Sequence, residues 1–530
     1  MKTRRIVFMK KKLLCFLGAA ALALALSACS SNKSTSEAAS EGASDVAQSS
    51  AAADTGAKKH MNTAIFWFGS DLDPANGWNA WTLSRAAVGE NLATVNEKME
   101  IVPQLADTWE PVDDTTWKFH IRQGVKFSNG KDLTPEDVKK SIERAVAKDE
   151  RAKSNAKLAS MEVDGEYLIY KTTEPYASLV ANLTEPLFCI IDTDQAETDI
   201  PNGPICTGPY KVTSFTPDVE IQLAKNEYYW DGDVALDTYT LKDIEDDDTR
   251  LAALQSGELD MAQRISPTGI TILSSAGGYT VTELPSLRVD YLCLNHKHEF
   301  LSDIHVRKAF SYAIDRDTLT SIKRGEAAGA VFPAVAGYNY DKLDLQKYNL
   351  EQAKKELAEA GFADTDGDGI LEKDGKKLSF TLPIPKANPV AEFIKEQLKV
   401  VGIDVEIQLL ENINELREQQ DFDLLLLNYV TATTGDPKRF LEQNYTTNGT
   451  DNFGHYSNPE FDKIVSELVS TFDAAKRLEL VTKAEQILNE DVANIFILTT
   501  NNNTVSKDSV KNVTVFPIDY YFMTKDVTIE

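Results

Sequence analysis

The residues whose types and spacing could do chemistry form a few small groups. Asp364, Asp366 and Asp368 alternate and are followed by Gly369, the layout of the first half of an oxygen-ligand calcium loop. The twelfth position of such a loop is Gly375 rather than Glu, and Glu372 and Asp374 are the acids that could compensate. The same run also reads as an acidic turn, and both readings stand. His455 offers a metal one imidazole, alone in the stretch Asn452-Phe453-Gly454-His455-Tyr456. His296 and His298 read as a solvated pair after a strand. Arg85 and Arg264 carry the planar fork that holds a carboxylate by two parallel hydrogen bonds, or that serves a scaffold ion pair. Trp67, Trp78 and Trp81 fall within 15 residues, in a stretch containing Gly and Asn. Aromatic walls with a few polar anchors suit a cleft for a small, partly apolar solute, and the same rings also suit a core. The chain has no GxSxG, HExxH or Walker A motif and no Cys–His signature. Among enzymes, its acidic composition leaves room for a hydrolase with paired carboxylates.

These residues must be positioned by an alternation of strands and helices. Thr115–Arg122 alternates apolar and polar residues as a strand does. Thr134–Ala147 is predicted as a helix, with Thr134 at the N-cap, Pro135 at the first helical position and Asp137 three residues past the cap. Further strands are predicted at Tyr167–Thr172, Val289–Leu294, Phe380–Pro383, Asp404–Leu409, Phe422–Leu427 and Asn494–Thr500. Further helices are predicted at Asp246–Gly257, Val306–Ile314, Leu350–Ala360, Pro389–Val401, Ser457–Val469 and Ala474–Asn489. Strand and helix interleave throughout, the signature of the α/β class. No period of 20–50 residues repeats, which argues against solenoids and propellers.

The chain has 530 residues, 42% of them apolar, enough for large cores. Its net charge of −27 argues against a nucleic-acid partner, which needs a basic face. The first 28 residues are different. Lys2, Arg4, Arg5, Lys10, Lys11 and Lys12 precede an apolar run from Leu13 to Leu26, too short for an ordinary membrane span and arranged as a secretory signal. The ending Leu26-Ser27-Ala28-Cys29 resembles a bacterial lipobox, which implies cleavage before Cys29 and a lipid on its sulfur. Residues 29–60 then read as a flexible, Ser- and Ala-rich tether. Five Cys exclude a disulfide scaffold; Cys189 and Cys206 are expected either to pair or to remain buried thiols, with Cys293 a third.

Pro103-Gln104-Leu105-Ala106, Trp109, Trp117-Lys118-Phe119, Gly124-Val125, Asn129-Gly130 and Thr134–Val138 form one connected pattern. Thr207-Gly208-Pro209-Tyr210, then Asn226 with Tyr228-Tyr229-Trp230, then Arg250, Leu254, Gly257 and Asp260 continue it. Asn295, Val306-Arg307-Lys308-Ala309, Ala313-Ile314-Asp315-Arg316 and Tyr456-Ser457-Asn458-Pro459 follow in order. Taken together, the pattern from about residue 61 onward resembles the family-5 solute-binding proteins that serve peptide and nickel ABC importers.

The resemblance implies an α/β, two-lobed periplasmic-binding-protein-like fold of the large class, with an extra subdomain in lobe one and the ligand cleft between lobes. Lobe one would span 61–288 and 500–530, and lobe two 289–499. It implies no enzyme and no required cofactor. The expected partners are a short peptide or other small solute, two permease subunits and their cytoplasmic ATPases. The chain would be a monomer held by its lipid on the outer face of the cell membrane, in a single-membrane bacterium. The stretch Trp67–Trp81 would lie near the cleft mouth. Asn428–Pro437 resembles the loop against the ligand, which makes Tyr429, Thr433 and Asp436 site residues. In peptide-binding members an Asp, three residues before the acid of an acid-Pro pair, holds the peptide ammonium. Here Asp436-Pro437 is that pair and Thr433 replaces the Asp, and a neutral hydroxyl cannot replace a buried carboxylate for a cation. The expected solute is therefore a short peptide or, alternatively, a nickel chelate with His455 as protein ligand. The closing segment Phe516-Pro517-Ile518-Asp519 also looks closer to nickel-type members. A third reading is use of the same fold in adhesion, chaperoning or signalling.

Overall fold

The computed structural model describes residues 58–530 apart from Asp344 and Gln346. The expected signal segment, Cys29 and the tether up to residue 57 lie outside the described residues. Among those described, no helix is long and apolar enough to cross a membrane.

Two long strands organise the body, Tyr279–Leu294 and Asn494–Lys507. They pair antiparallel from Tyr279↔Lys507 to Cys293↔Asn494, with a shift of register between Pro285 and Val289. Pro285 has no N–H to give the ladder, so the pairing breaks there. Ser286 Oγ bridges the break, donating to the Thr500 carbonyl at 2.6 Å and accepting from Arg288 N at 3.0 Å. On one side of the break Met261–Gln263 adds to Asn494–Lys507. Next to it, parallel, comes His60–Ile65, then Thr238–Asp243, Glu220–Lys225 and Tyr210–Thr216. On the other side Leu424–Val430 adds to Tyr279–Leu294, and the short strand Gly325–Ala327 pairs with Thr500–Leu498. One nine-stranded sheet therefore runs through both halves, and the two long strands shift register where the halves meet.

Each half has its own core. Met61, Ile65, Leu83, Tyr239, Leu241 and Met523 pack in one cluster on the first half. Leu294, Val306, Phe310, Leu382, Ile394 and Leu424 pack in another on the second. A separate four-stranded sheet, ordered Ala106–Asp113, Thr116–Ile121, Tyr167–Thr172 and Leu158–Asp164, is covered by helix Pro135–Lys148. That helix starts as expected, with Thr134 Oγ1 accepting from Asp137 N and Asp137 accepting from Thr134 N. The largest difference from expectation is in the long strands. Only Val289–Leu294 and Asn494–Thr500 were anticipated, and each strand continues by several polar residues into the first half.

Candidate functional site

A cavity of about 490 Å³ lies between the helix Glu150–Ala156 with Trp78 on one wall and the segment Tyr429–Asp451 on the other. Asp149 caps the short helix by accepting from Arg151 N at 2.7 Å and Ala152 N at 3.0 Å, which fixes Arg151 in its first turn. The Arg151 guanidinium lies 3.6 Å from the centre of the Trp78 ring and donates to the Gly77 carbonyl at 2.6 Å. Trp78, 49% exposed, is thereby held as a cavity wall.

The opposite wall is pinned by main-chain bonds. Thr431 N donates to the Leu287 carbonyl at 2.9 Å, Tyr520 OH to the Thr433 carbonyl at 2.5 Å, and Tyr338 OH to the Gly435 carbonyl at 2.7 Å. Gly435 turns the loop at φ +71°, and a Cβ there would meet the Met99 carbonyl oxygen at 2.8 Å. Asp436 then starts helix Lys438–Tyr445 by accepting from Lys438 N at 2.9 Å, and its other oxygen pairs with Arg477. Arg439 follows in the first turn.

Glu185 is the electrostatic centre of the cavity. It is 1% exposed, accepts from Asn155 Nδ2 at 2.8 Å and from Arg439 Nη1 at 3.2 Å, and lies 3.4 Å from Arg151 Nη1. One buried carboxylate thus faces a guanidinium from each wall. Burial lowers the Arg151 pKa, and its Nη1 has no hydrogen-bond acceptor among the described residues. Asp451 lines the same cavity in the opposite condition. Its carboxylate takes no hydrogen bond and no ion pair among the described residues, and burial raises its pKa despite Arg417 and Arg439 nearby. The cavity therefore offers unsaturated donors and an unpaired acid, the complement of a solute with both signs of charge.

The structure gathers Trp78, Tyr429, Thr433 and Asp436 around this cavity. It does not bring the other expected ligand residues there. Trp81 lies behind, 5.1 Å from Trp78 and 5.2 Å from Tyr520 between ring centres. Trp67 contributes its ring to Arg85, 5.9 Å away. Arg85 is 1% exposed and belongs to a buried charge cluster, with Nε donating to the Asp519 carbonyl at 2.8 Å. Arg264 lines a different cavity. His455, held at φ +57°, is not part of the wall although its neighbours Asn452 and Gly454 edge a small void beside it. Asp364, Asp366 and Asp368 do converge, but the Lys377 ammonium sits on Asp366 and Asp368, and Asp364 accepts from Gly367 N and Gly369 N. Cys189 and Cys206 are free, buried neighbours.

Arg151, Glu185, Arg439 and Asp451 were not anticipated. Glu185 alone carried a signal, as the one charged residue in the mostly apolar stretch Leu179–Ile191. Arg151 and Arg439 sit in charged stretches, and Asp451 in the polar run Thr446–Asn452, both of which read like any solvated surface.

Residues 100–452 match the family described as bacterial extracellular solute-binding proteins, family 5. The chain is 30% identical over 530 residues to the oligopeptide-binding protein AppA of Bacillus subtilis, with 94% of each chain covered. It is 28% identical over 451 residues to the nickel-binding protein NikA of Staphylococcus aureus, covering 84% of this chain and 90% of that one. The crystal structure of a nickel ABC transporter protein from Bacillus halodurans superposes with a TM-score of 0.78 at 29% identity, over 89% of this chain and all of that one. The shared sheet, with its two long strands and a separate core on each side, is thus the two-lobed α/β architecture of periplasmic binding proteins. The chain belongs to family 5 of the bacterial extracellular solute-binding proteins.

Proposed function

We propose that this protein is a lipid-anchored receptor on the outer face of the cell membrane that binds short peptides and presents them to an ABC importer. The observation that carries the reading is the pairing of opposite charges in one cavity. Arg151 and Arg439 stand ready for a carboxylate, and unpaired Asp451 stands ready for an ammonium. In this reading Asp451 supplies the counter-charge that Thr433 lacks. The cavity of about 490 Å³ falls in the ordinary range for small-ligand sites and suits a short rather than a long peptide. Residues 61–288 with 500–530 would form one lobe and 289–499 the other. The break in pairing at Pro285–Val289 is where closure would occur, and the solute would act by binding the closed state more tightly. Cys29 would carry the lipid and residues 29–60 the tether. Two permease subunits with cytoplasmic ATPases would receive the solute from the monomer, in a single-membrane bacterium, and no bond of the solute would be made or broken.

A nickel chelate is the second reading, favoured by Thr433 at the usual acid's position and by two guanidiniums suited to a chelator's carboxylates. Native mass spectrometry of the mature protein, before and after mild unfolding, tests both. Release of two- to six-residue peptides supports the first reading. Release of nickel with a small carboxylate or metallophore supports the second, and its loss in His455→Ala would give that side chain the ligand role. An empty protein would send the question to a thermal-shift panel of solutes, in which no stabilisation by any peptide would refute the peptide reading.

A further inference from the structure

A second cavity, about 280 Å³, lies where the two long strands shift register. Asn428 lines it, whereas the next residue, Tyr429, lines the solute cavity, so the two open on opposite faces of the strand Leu424–Val430. Its walls carry Arg264, Arg288, Lys323 and Arg324 and no carboxylate. That is the reverse of a chain whose net charge is −27.

The counter-charges behind these walls do not balance them. Lys323 Nζ lies 2.7 Å from Asp290, and Arg324 Nε donates to Glu283 at 3.0 Å. Arg264 and Arg288 share a single carboxylate, Asp519, with the buried Arg85. Asp243 is the other acid acting on Arg85, and the nearby Arg250 is met by Asp247 and Asp246. Arg85, Arg264 and Arg288 thus have only Asp519 and Asp243 to set against three charges, and one positive charge is left over. Arg264 is the least satisfied of the group. It is 3.9 Å from Asp519, its guanidinium donates no hydrogen bond among the described residues, and it rests on the Phe66 ring at 4.2 Å. Its backbone is held at φ +56°, a conformation that non-glycine residues adopt at a cost, by the bonds Arg264 N to Asn503 O at 2.9 Å and Arg250 Nη2 to Arg264 O at 2.6 Å. Arg288 Nε is buried without an acceptor.

We propose that this cavity is a binding site for a small oxyanion of the phosphate and sulfate class, held by Arg264, Arg288 and Arg324. The anion meets the surplus positive charge and supplies acceptors to Arg264 and to Arg288 Nε. The walls come from both sides of the register shift, Arg264 from the end of Met261–Gln263 and Arg324 from beyond helix Arg316–Ile322. The anion therefore ties the two sides together, and any effect of it on solute affinity is matched by an equal effect of solute on anion affinity.

The test is calorimetric titration of the purified protein with sodium phosphate, against sodium chloride at matched ionic strength. Saturable binding of one phosphate, displaced by sulfate, is expected. Arg264→Gln and Arg324→Gln should each weaken it at least tenfold, while Arg151→Gln, in the solute cavity, should leave it unchanged. Arg324 is 43% exposed, so its replacement keeps the test independent of folding. No saturable phosphate or sulfate binding, or equal affinity in Arg264→Gln and wild type, would overturn the proposal. So would binding that is lost in Arg151→Gln and kept in Arg264→Gln, since that places the anion with the solute. An empty solute cavity in the mass-spectrometric experiment bears on the peptide reading alone.

Discussion

Replacing Asp519 by Asn removes the one carboxylate that three guanidiniums share. Arg288 Nη2 is 2.9 Å from it, Arg264 Nη1 3.9 Å and Arg85 Nη2 4.0 Å, and both Arg85 and Asp519 are almost wholly buried. Burial pushes the Asp519 carboxyl up, but Arg288, Arg85 and Arg264 more than reverse this and hold it at about 2. Against an ordinary value of 3.8 that shift is worth about 2 kcal/mol of folding stability. Because the folded-state value is depressed, this contribution is present above about pH 4 and is lost as pH falls through about 2. Substitution, like protonation, takes away the charge that offsets this burial, which already lowers the Arg85 and Arg264 pKa values to about 10. Breaking a buried pair by removing one partner costs about 3–5 kcal/mol. Urea unfolding followed by tryptophan fluorescence reads this out. Trp81 lies against Tyr520, so release of the closing segment changes its surroundings. At pH 7 Asp519→Asn should lose about 3–5 kcal/mol, and the gap to wild type should narrow as pH falls from 4 toward 2. A variant within 0.5 kcal/mol of wild type at pH 7, or a gap that does not change with acid, would refute the claim that Asp519 holds this cluster by charge.

Asp451→Asn should weaken binding of peptides with a free N-terminus by about 10- to 100-fold and leave N-acetylated peptides little affected, by calorimetry. Because burial raises the Asp451 pKa, that binding should also fall on acidification before an ordinary carboxylate would titrate. Millimolar calcium should shift the melting temperature by less than about 1 °C, since Lys377 already neutralises Asp366 and Asp368; a clear shift would mean the lysine yields to the ion. Cys189, Cys206 and Cys293 should react with a thiol reagent only after unfolding. Contact with Cys189 and burial push the Cys206 thiol well up, and burial pushes Cys293 up to about 12. Fast labelling of the native protein would refute this.

Elements governed by local rules were legible in the sequence. Thr134, Pro135 and Asp137 start a helix by chemistry confined to four residues, and Tyr167–Thr172 alternates because one face of its sheet is buried. The apolar ends of the two long strands were legible too, because Val289–Leu294 and Asn494–Leu498 are packed on both faces by the cores of the second half. Their polar continuations were not. Tyr279–Pro285 carries a proline, and Asn501–Asn503 is a run that reads as a turn. What makes these segments strands is their pairing with each other across more than 200 residues of sequence, from Tyr279↔Lys507 to Pro285↔Asn501. Asn502 and Asn503 are consumed by main-chain groups: Asn502 Nδ2 donates to the Phe516 carbonyl at 2.9 Å, and Asn503 Oδ1 accepts from Ile265 N at 2.9 Å.

The same distinction separates the site residues. Trp78, Tyr429, Thr433 and Asp436 were reachable because aromatic content and a resemblant loop mark them. Arg85 and Arg264 are expected to hold either a solute carboxylate or a scaffold ion pair, and neither reaches the solute cavity; the acid they face is an internal one, Asp519, 434 residues beyond Arg85 in the chain. No local pattern encodes that partner. Sequence types the charge, whereas burial and pairing decide whether it is spent inside the protein or left for a ligand. Asp436 is spent on Arg477, and Asp451, fifteen residues on, is not. In a chain with so many acids, an unpaired, half-buried carboxylate facing a cavity carries more information than any acidic motif. Desolvation penalises such a group unless a cation arrives to meet it. Asp451→Asn should therefore leave the empty protein as stable as wild type or slightly more so, while weakening it as a receptor. Loss of stability together with loss of binding would mean that Asp451 serves the scaffold instead.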